Sequence, residues 1–103
     1  MAYRPLKADE IYEKALPIFN KYKIKKAALF GSSARGEMHR GSDIDLLVEL
    51  DENQSGLVFI EIKRKLQNKL KRKVDLITYK SLAYSDLKDS ILEDAKVVYE
   101  KTH

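Results

Sequence analysis

Residues 27–50 read AALFGSSARGEMHRGSDIDLLVEL, and this segment is the most informative part of the sequence about the fold. A short apolar run ends at Phe30 and is followed at once by Gly31-Ser32. Ten residues after that pair, Asp43-Ile44-Asp45 opens a second apolar run. Short apolar runs bounded by glycine and polar residues are typical of buried strands. The stretch therefore predicts two strands, with the Gly-Ser pair ending the first and the Asp-x-Asp starting the second.

The Gly-Ser pair has the chemistry of a phosphate cradle. Residues 33–36 can begin a short helix directly after Gly31 and Ser32. Backbone N–H groups at such a turn suit phosphate oxygens. Arg35 follows closely, and its guanidinium could contact a phosphate, although a plain surface position is an equally good interpretation.

Asp43 and Asp45 are predicted to share one face of their strand. Residues two apart in a strand point the same way, so the alternating apolar residues Ile44, Leu46, Val48 and Leu50 face the opposite side. Two neighbouring carboxylates repel each other unless a cation neutralises them. Hard oxygen ligands of this kind suit Mg²⁺ or Mn²⁺.

A third carboxylate, Asp75, lies in a later apolar run at residues 73–79. Val74 and Leu76 take the covered face of this predicted strand and leave Asp75 on the other face. Together with Asp43 and Asp45, it could hold one or two metal ions.

The order Gly31-Ser32, Asp43-Ile44-Asp45 and Asp75 resembles the nucleotidyltransferase superfamily of DNA polymerase beta, over residues 24–79. The short length resembles its minimal nucleotidyltransferase (MNT) branch. The resemblance implies an α/β (α+β) nucleotidyltransferase fold, in which helices cover one face of a small mixed sheet. It also implies transfer of a nucleoside monophosphate from a triphosphate to a hydroxyl. Asp43 and Asp45 would bind Mg²⁺, as two ions or with Mn²⁺ in its place, Asp75 would complete the catalytic site, and Gly31 and Ser32 would hold the phosphates.

Members of the MNT branch often act as antitoxins to HEPN-domain RNases. The resemblance thus implies AMP transfer from ATP to a tyrosine hydroxyl of a cognate HEPN toxin, as in a type VII toxin-antitoxin pair. Two alternatives stay open. The chain could neutralise a partner by covering it without catalysis, or it could modify a small molecule after pairing with a helical subunit.

The composition predicts a single domain spanning residues 1–103. The chain has 103 residues, 44% of them hydrophobic, which is adequate for one core. It contains no cysteine, so disulfides, thiolate zinc sites and thiol nucleophiles are excluded. We expect a cytoplasmic protein without membrane contact, because no secretory signal or membrane-length apolar run is visible. Nearly all residues serve the nucleotide-binding core, so we expect a partner protein to bring the acceptor.

The positive charge does not by itself indicate nucleic-acid binding. The net charge is +4 and the pI is near 9.2. Basic residues gather within 63–73, but no aromatic residue is interleaved to stack bases. We therefore favour the solvated face of a helix over an RNA-binding stripe.

Hydrophobic spacing predicts alternating helices and strands. Helices are expected over 7–22, bent or interrupted by Pro17, and along Val58 to Leu70. Strands are expected at 25–30, 44–50 and 74–79. Spacing at the end of the chain predicts a last helix through the apolar residues Tyr84, Leu87, Ile91, Leu92, Ala95, Val98 and Tyr99.

Overall fold

The computed structural model describes residues 6–35, 43–51 and 56–101. Its helices are α1 (Ala8–Lys21), α2 (Gly31–Arg35), α3 (Gly56–Leu70), α4 (Tyr79–Leu82) and α5 (Lys88–Asp94). Its strands are β1 (Lys26–Leu29), β2 (Ile44–Glu49), β3 (Val74–Thr78) and β4 (Lys96–Glu100). The first helix, the three predicted strands and the helix before the third strand are confirmed with slightly different bounds. The predicted short helix begins at Gly31, and Gly36 lies outside the described residues. Within the described ranges, no helix is both long and apolar enough to cross a membrane.

The four strands form one mixed sheet in the order β3-β2-β1-β4. Strand β2 runs parallel to β3 and antiparallel to β1, and β1 runs antiparallel to β4. Helix α3 provides the crossover between β2 and β3, because parallel neighbours cannot be joined by a tight turn. This topology confirms the predicted α/β class. It also brings the end of β1 and the starts of β2 and β3 to one end of the sheet.

The two long helices cover one face of this sheet, as predicted. Their apolar residues pack on alternate strand residues, including Ile44, Leu46 and Val48 of β2. Burying a side chain of this size contributes about 1.5–3 kcal/mol. The helix residues fully removed from solvent are Ile11, Ala15 and Phe19 of α1 and Ile62 and Leu66 of α3. Of the predicted bend or interruption at Pro17, the interruption does not occur, because α1 continues through Pro17, which lies on its exposed side.

The opposite face carries a smaller apolar cluster that the sequence reasoning did not anticipate. Ala28 and Leu47 point to this face and are buried, together with Phe30 and Leu82. Ile91 of α5 packs against the cluster. The short helices α4 and α5 therefore cover the middle of the face whose end carries the predicted acidic site.

The predicted last helix is wrong. Its residues divide between the α4–α5 connection, helix α5, which ends at Asp94, and strand β4. Tyr84 and Leu87 are exposed, whereas the ring of Tyr99 packs against that of Phe19, with 5.0 Å between the ring centroids. Strand β4 forms because the outer edge of the buried strand β1 needs hydrogen-bond partners, and Val97, Val98 and Tyr99 favour extended structure.

Candidate functional site

The predicted phosphate cradle lies where β1 turns into α2. Gly31 has φ +59°, in the left-handed region that glycine tolerates best. A Cβ at this position would lie 2.7 Å from Oδ2 of Asp45. The backbone conformation therefore favours glycine, and the absence of a Cβ leaves room for the Asp45 carboxyl in its present position. Ser32 follows at a half-buried position in α2.

The predicted acidic residues lie at the same end of the sheet. Asp45 and Asp75 are direct register partners on the parallel strands β2 and β3. Both alternate with buried residues, so both side chains lie on the face away from α1 and α3. Asp43 stands two residues before Asp45 and one residue before β2 begins. The structure therefore places the three predicted acidic residues at one end of the sheet, with Asp45 against the Gly31 turn.

The charges at this end of the sheet act on one another. Partial burial, followed by the nearby charges of Asp75 and Asp43, raises the pKa of Asp45 from 3.8 to about 6. The positive charge of Arg35 opposes this shift. The ionised form of Asp45 is thus unfavourable at this position, and a cation bound beside it would stabilise the carboxylate.

The three carboxyl groups have the chemistry to bind a hard divalent cation, but their side chains are not arranged as a complete set of metal ligands. Carboxylate oxygens are the ligands that Mg²⁺ and Mn²⁺ prefer. Among the residues that the structure describes, no group of three His, Cys, Asp or Glu side chains is arranged to hold a metal ion. Bringing Asp43, Asp45 and Asp75 onto one cation would therefore require side-chain movement.

Ser33 is part of this arrangement, and the sequence reasoning missed it. Its hydroxyl accepts a hydrogen bond from the backbone N–H of Asp45 at 3.0 Å. The same hydroxyl donates to the backbone carbonyl of Asp43 at 3.4 Å. Only its place directly after the Gly31-Ser32 pair could have drawn attention to it.

Arg35 has a partner that could not be foreseen. Its guanidinium Nη1 lies 2.5 Å from Oδ2 of Asp94, at the end of α5. The sequence had placed this segment inside a longer helix, far from any expected contact. The ion pair joins α2 to α5 on the rim of the acidic site, and Arg35 is also close enough to lower the pKa of Asp45.

Replacing Arg35 with glutamine is expected to raise the pKa of Asp45 further above about 6, because a positive charge that opposes the shift is removed. Carboxyl carbon NMR during a pH titration measures this value. Arg64→Gln is the matched control, since Arg64 is exposed on α3 at the other face of the sheet. An unchanged Asp45 titration in Arg35→Gln would contradict the assigned coupling.

Grooves elsewhere on the described surface do not include these residues. One of about 510 Å³ lies between the start of α1 and β4, and is lined partly by Ala8, Tyr12 and Val97. Another of about 320 Å³ lies at the far end of the sheet, beside Lys26 and Glu49. Neither combines a glycine turn with adjacent carboxyl groups. The chemistry therefore favours the end of the sheet that carries Gly31 and the acidic residues as the functional site, although the groove beside α1 and β4 has a volume of about 510 Å³.

Comparison with known sequences agrees with this chemistry. The family described as "Polymerase beta, Nucleotidyltransferase" matches residues 13–103. A protein of Methanocaldococcus jannaschii named "Putative protein adenylyltransferase MJ0435" is 44% identical over 87 residues. That match covers 84% of this chain and 92% of the relative.

Two solved structures share the fold. The first, described as "Structure of putative minimal nucleotidyltransferase", has a TM-score of 0.75 at 28% identity, covering 91% of this chain and 98% of the other. The second, described as "Crystal structure of the toxin-antitoxin with AMP-PNP", has a TM-score of 0.71 at 25% identity, covering 88% and 74%. The motif, the sheet topology and these matches agree, and the chain belongs to the polymerase beta nucleotidyltransferase family.

Proposed function

We propose that this chain transfers AMP from ATP to a tyrosine hydroxyl of a cognate HEPN toxin and acts as its antitoxin. The observation that carries the proposal is the placement of Asp45 beside Asp75, with the Gly31 turn packed against the Asp45 carboxyl. This arrangement combines a place for phosphates with a place for the cation that must accompany them. The name of the M. jannaschii relative and the AMP-PNP in the related toxin-antitoxin structure support adenylyl transfer in particular.

Each residue has a role in this proposal. Gly31 and Ser32 bind the triphosphate oxygens, and Asp43, Asp45 and Asp75 hold Mg²⁺. The bound cation would neutralise the triphosphate charge and lower the pKa of the acceptor hydroxyl, as one ion or as a pair. Arg35, held by Asp94, contributes positive charge at the rim of the phosphate site.

The transfer is a single displacement at the α-phosphorus of ATP. The acceptor oxygen forms a bond to this phosphorus while the bond to the pyrophosphate oxygen breaks. The proton of the acceptor hydroxyl passes to Asp75, whose exposed side chain lies next to that of Asp45. Pyrophosphate then leaves beside Gly31 and Ser32.

The openness of the site favours a protein as the acceptor. Asp75 is exposed and Asp45 is half-buried, so both are accessible from solvent at the end of the sheet. A side chain presented on the surface of a partner can therefore reach them. The family resemblance suggests a HEPN toxin as that partner, and the related structure described as a toxin-antitoxin supports a toxin partner. The two proteins would form a hetero-oligomer.

Intact mass spectrometry tests the proposed reaction directly. The chain is incubated with ATP, Mg²⁺ and a candidate HEPN toxin, taken from a neighbouring gene, and both masses are measured. We expect the candidate toxin to gain one or more AMP units, and peptide mapping to place them on tyrosine. The gain should disappear with Asp43→Asn or Asp45→Asn.

The alternative functions give different results in the same assay. One possible result is that the two proteins bind and the toxin is neutralised, but neither protein gains mass. In that case the chain acts by covering its partner without catalysis. Release of pyrophosphate with a small-molecule hydroxyl acceptor, in the absence of protein modification, would instead indicate a small-molecule nucleotidyltransferase. Either outcome contradicts the proposed protein adenylyltransferase.

A further inference from the structure

Ser33 occupies an unusual position for a serine in a short surface helix. It is 8% exposed, and it is the one polar side chain buried in the part of the chain that the structure describes. A buried hydroxyl costs free energy unless it is hydrogen-bonded. Both of its hydrogen bonds go to the backbone of the acidic motif, ten and twelve residues further along the chain.

The reason for these bonds lies in how β1 ends. The last backbone bond between β1 and β2 runs from the N–H of Phe30 to the carbonyl of Asp45, at 3.0 Å. The N–H of Asp45 points to the same side of β2, because the N–H and carbonyl of one strand residue face the same neighbour. Beyond Phe30, however, the chain turns into α2, and the Phe30 carbonyl accepts from the N–H of Ala34 at 3.4 Å.

The Ser33 hydroxyl therefore replaces the strand partner that Asp45 has lost. A backbone N–H removed from water needs an acceptor, and the hydroxyl provides it at 3.0 Å. By also donating to the Asp43 carbonyl, the hydroxyl holds the backbone on both sides of Ile44. Asp43 lies just outside β2, and the peptide unit between Asp43 and Ile44 is held from both sides, because its carbonyl accepts from Ser33 and its N–H donates to the Lys73 carbonyl at 2.9 Å.

We infer that Ser33 is a positioning residue for the Asp43 and Asp45 carboxyl groups. The backbone sets the position of each Cβ, so holding residues 43–45 fixes the points from which the two carboxyl groups extend. The same short helix carries Gly31, which lies against the Asp45 carboxyl. Ser33 thus sets the place of the cation ligands relative to the phosphate cradle. This inference rests on the proposed function, because the position of these carboxyls matters only if they bind a cation.

The test measures Mn²⁺ binding to the full chain by calorimetry, without nucleotide or partner. Changing a residue that orients metal ligands typically weakens metal affinity by about 10–100-fold, so we expect Ser33→Ala to weaken Mn²⁺ binding by about tenfold. The Asp45 amide should also exchange its hydrogen faster, as measured by NMR. Ser33→Thr keeps a hydroxyl and should restore most of the affinity.

Ser85→Ala is the matched control. The Ser85 hydroxyl also accepts from a backbone N–H, that of Leu87 at 3.1 Å, but it lies between α4 and α5 and outside the acidic site. Both alanine variants lose one hydroxyl bonded to the backbone, so both can lower the melting temperature. Only Ser33→Ala should change Mn²⁺ affinity and the exchange of the Asp45 amide.

The outcomes separate this inference from the proposed function. If the unmodified chain binds Mn²⁺ no better than Asp45→Asn does, the cation site itself is wrong. If the unmodified chain binds Mn²⁺ and Ser33→Ala binds it equally well, the positioning role is overturned while the site stands. Equal weakening in Ser33→Ala and Ser33→Thr would also overturn the role of the hydroxyl.

Discussion

Replacing Asp45 with asparagine is expected to abolish adenylyl transfer while the chain stays folded. Asparagine keeps the size of the side chain but removes the charge that the proposed cation needs. Metal ions lower the barrier of phosphoryl and nucleotidyl transfer by several kcal/mol, which corresponds to roughly a thousandfold in rate. The rate of AMP incorporation into the partner, followed by mass spectrometry, measures the loss.

The same variant is expected to be more stable than the unmodified chain when no metal is present. The pKa of Asp45 is raised from 3.8 to about 6 in the folded protein, so the folded state favours the protonated carboxyl. Ionisation of Asp45 therefore costs stability as the pH rises through this range, and asparagine avoids that cost. Since Asp45 is only half-buried, solvent screening reduces the effect to about 1 kcal/mol at pH 7.5.

Thermal unfolding in the presence of a chelator at several pH values checks this expectation. The difference between Asp45→Asn and the unmodified chain should be largest above pH 6, should shrink as the pH falls towards 3.8, and should vanish well below pH 3.8, where Asp45 is protonated in both the folded and the unfolded state. Asp89→Asn serves as the control, because Asp89 is exposed on α5. A variant that unfolds together with its loss of activity would count against a catalytic role for Asp45.

Gly31→Ala is the second substitution with a large expected effect. A left-handed conformation costs a residue with a Cβ about 1–2 kcal/mol. The added methyl would also lie 2.7 Å from Oδ2 of Asp45, and the carboxyl can relieve this clash by rotating away. We therefore expect a small loss of stability but a loss of transfer comparable to that of Asp45→Asn, because the rotated carboxyl leaves its place beside Asp75.

Gly56→Ala separates this local effect from a general effect of removing glycine. Gly56 begins α3, and a Cβ there would meet no atom within 4 Å. We expect unchanged transfer and equal or slightly greater stability, because alanine favours a helix more than glycine does. Circular dichroism and the mass assay on both variants provide the comparison. Full activity in Gly31→Ala would show that the turn does not need glycine.

Local patterns in the sequence were sufficient for the central part of the fold. Residues two apart in a strand share a face, so the alternation around Ile44 and Val74 already placed Asp43, Asp45 and Asp75 opposite the core. In the same way, the four-residue spacing of apolar residues from Val58 to Leu70 predicted helix α3. These features depend on neighbours in the chain, and the motif formed by Gly31-Ser32 and Asp43-Ile44-Asp45 was specific enough to indicate the family.

The end of the chain shows where local patterns fail. Ile91, Ala95 and Val98 have helical spacing, but the residues from Lys96 onward form strand β4. The decisive requirement comes from β1, whose outer edge would otherwise leave backbone groups without partners. One sequence alone does not show which distant segment will form hydrogen bonds with that edge.

The face on which the acidic residues lie follows from the amino-acid sequence, because strand alternation is a property of consecutive residues. Their surroundings depend on the packing of the folded chain. Asp75 becomes the register partner of Asp45 across two strands, Arg35 pairs with Asp94, and Ser33 bonds the backbone of Asp43 and Asp45. Each of these contacts joins residues at least ten positions apart. They form only when the packing of the whole sheet brings those segments together, so no local rule could specify them.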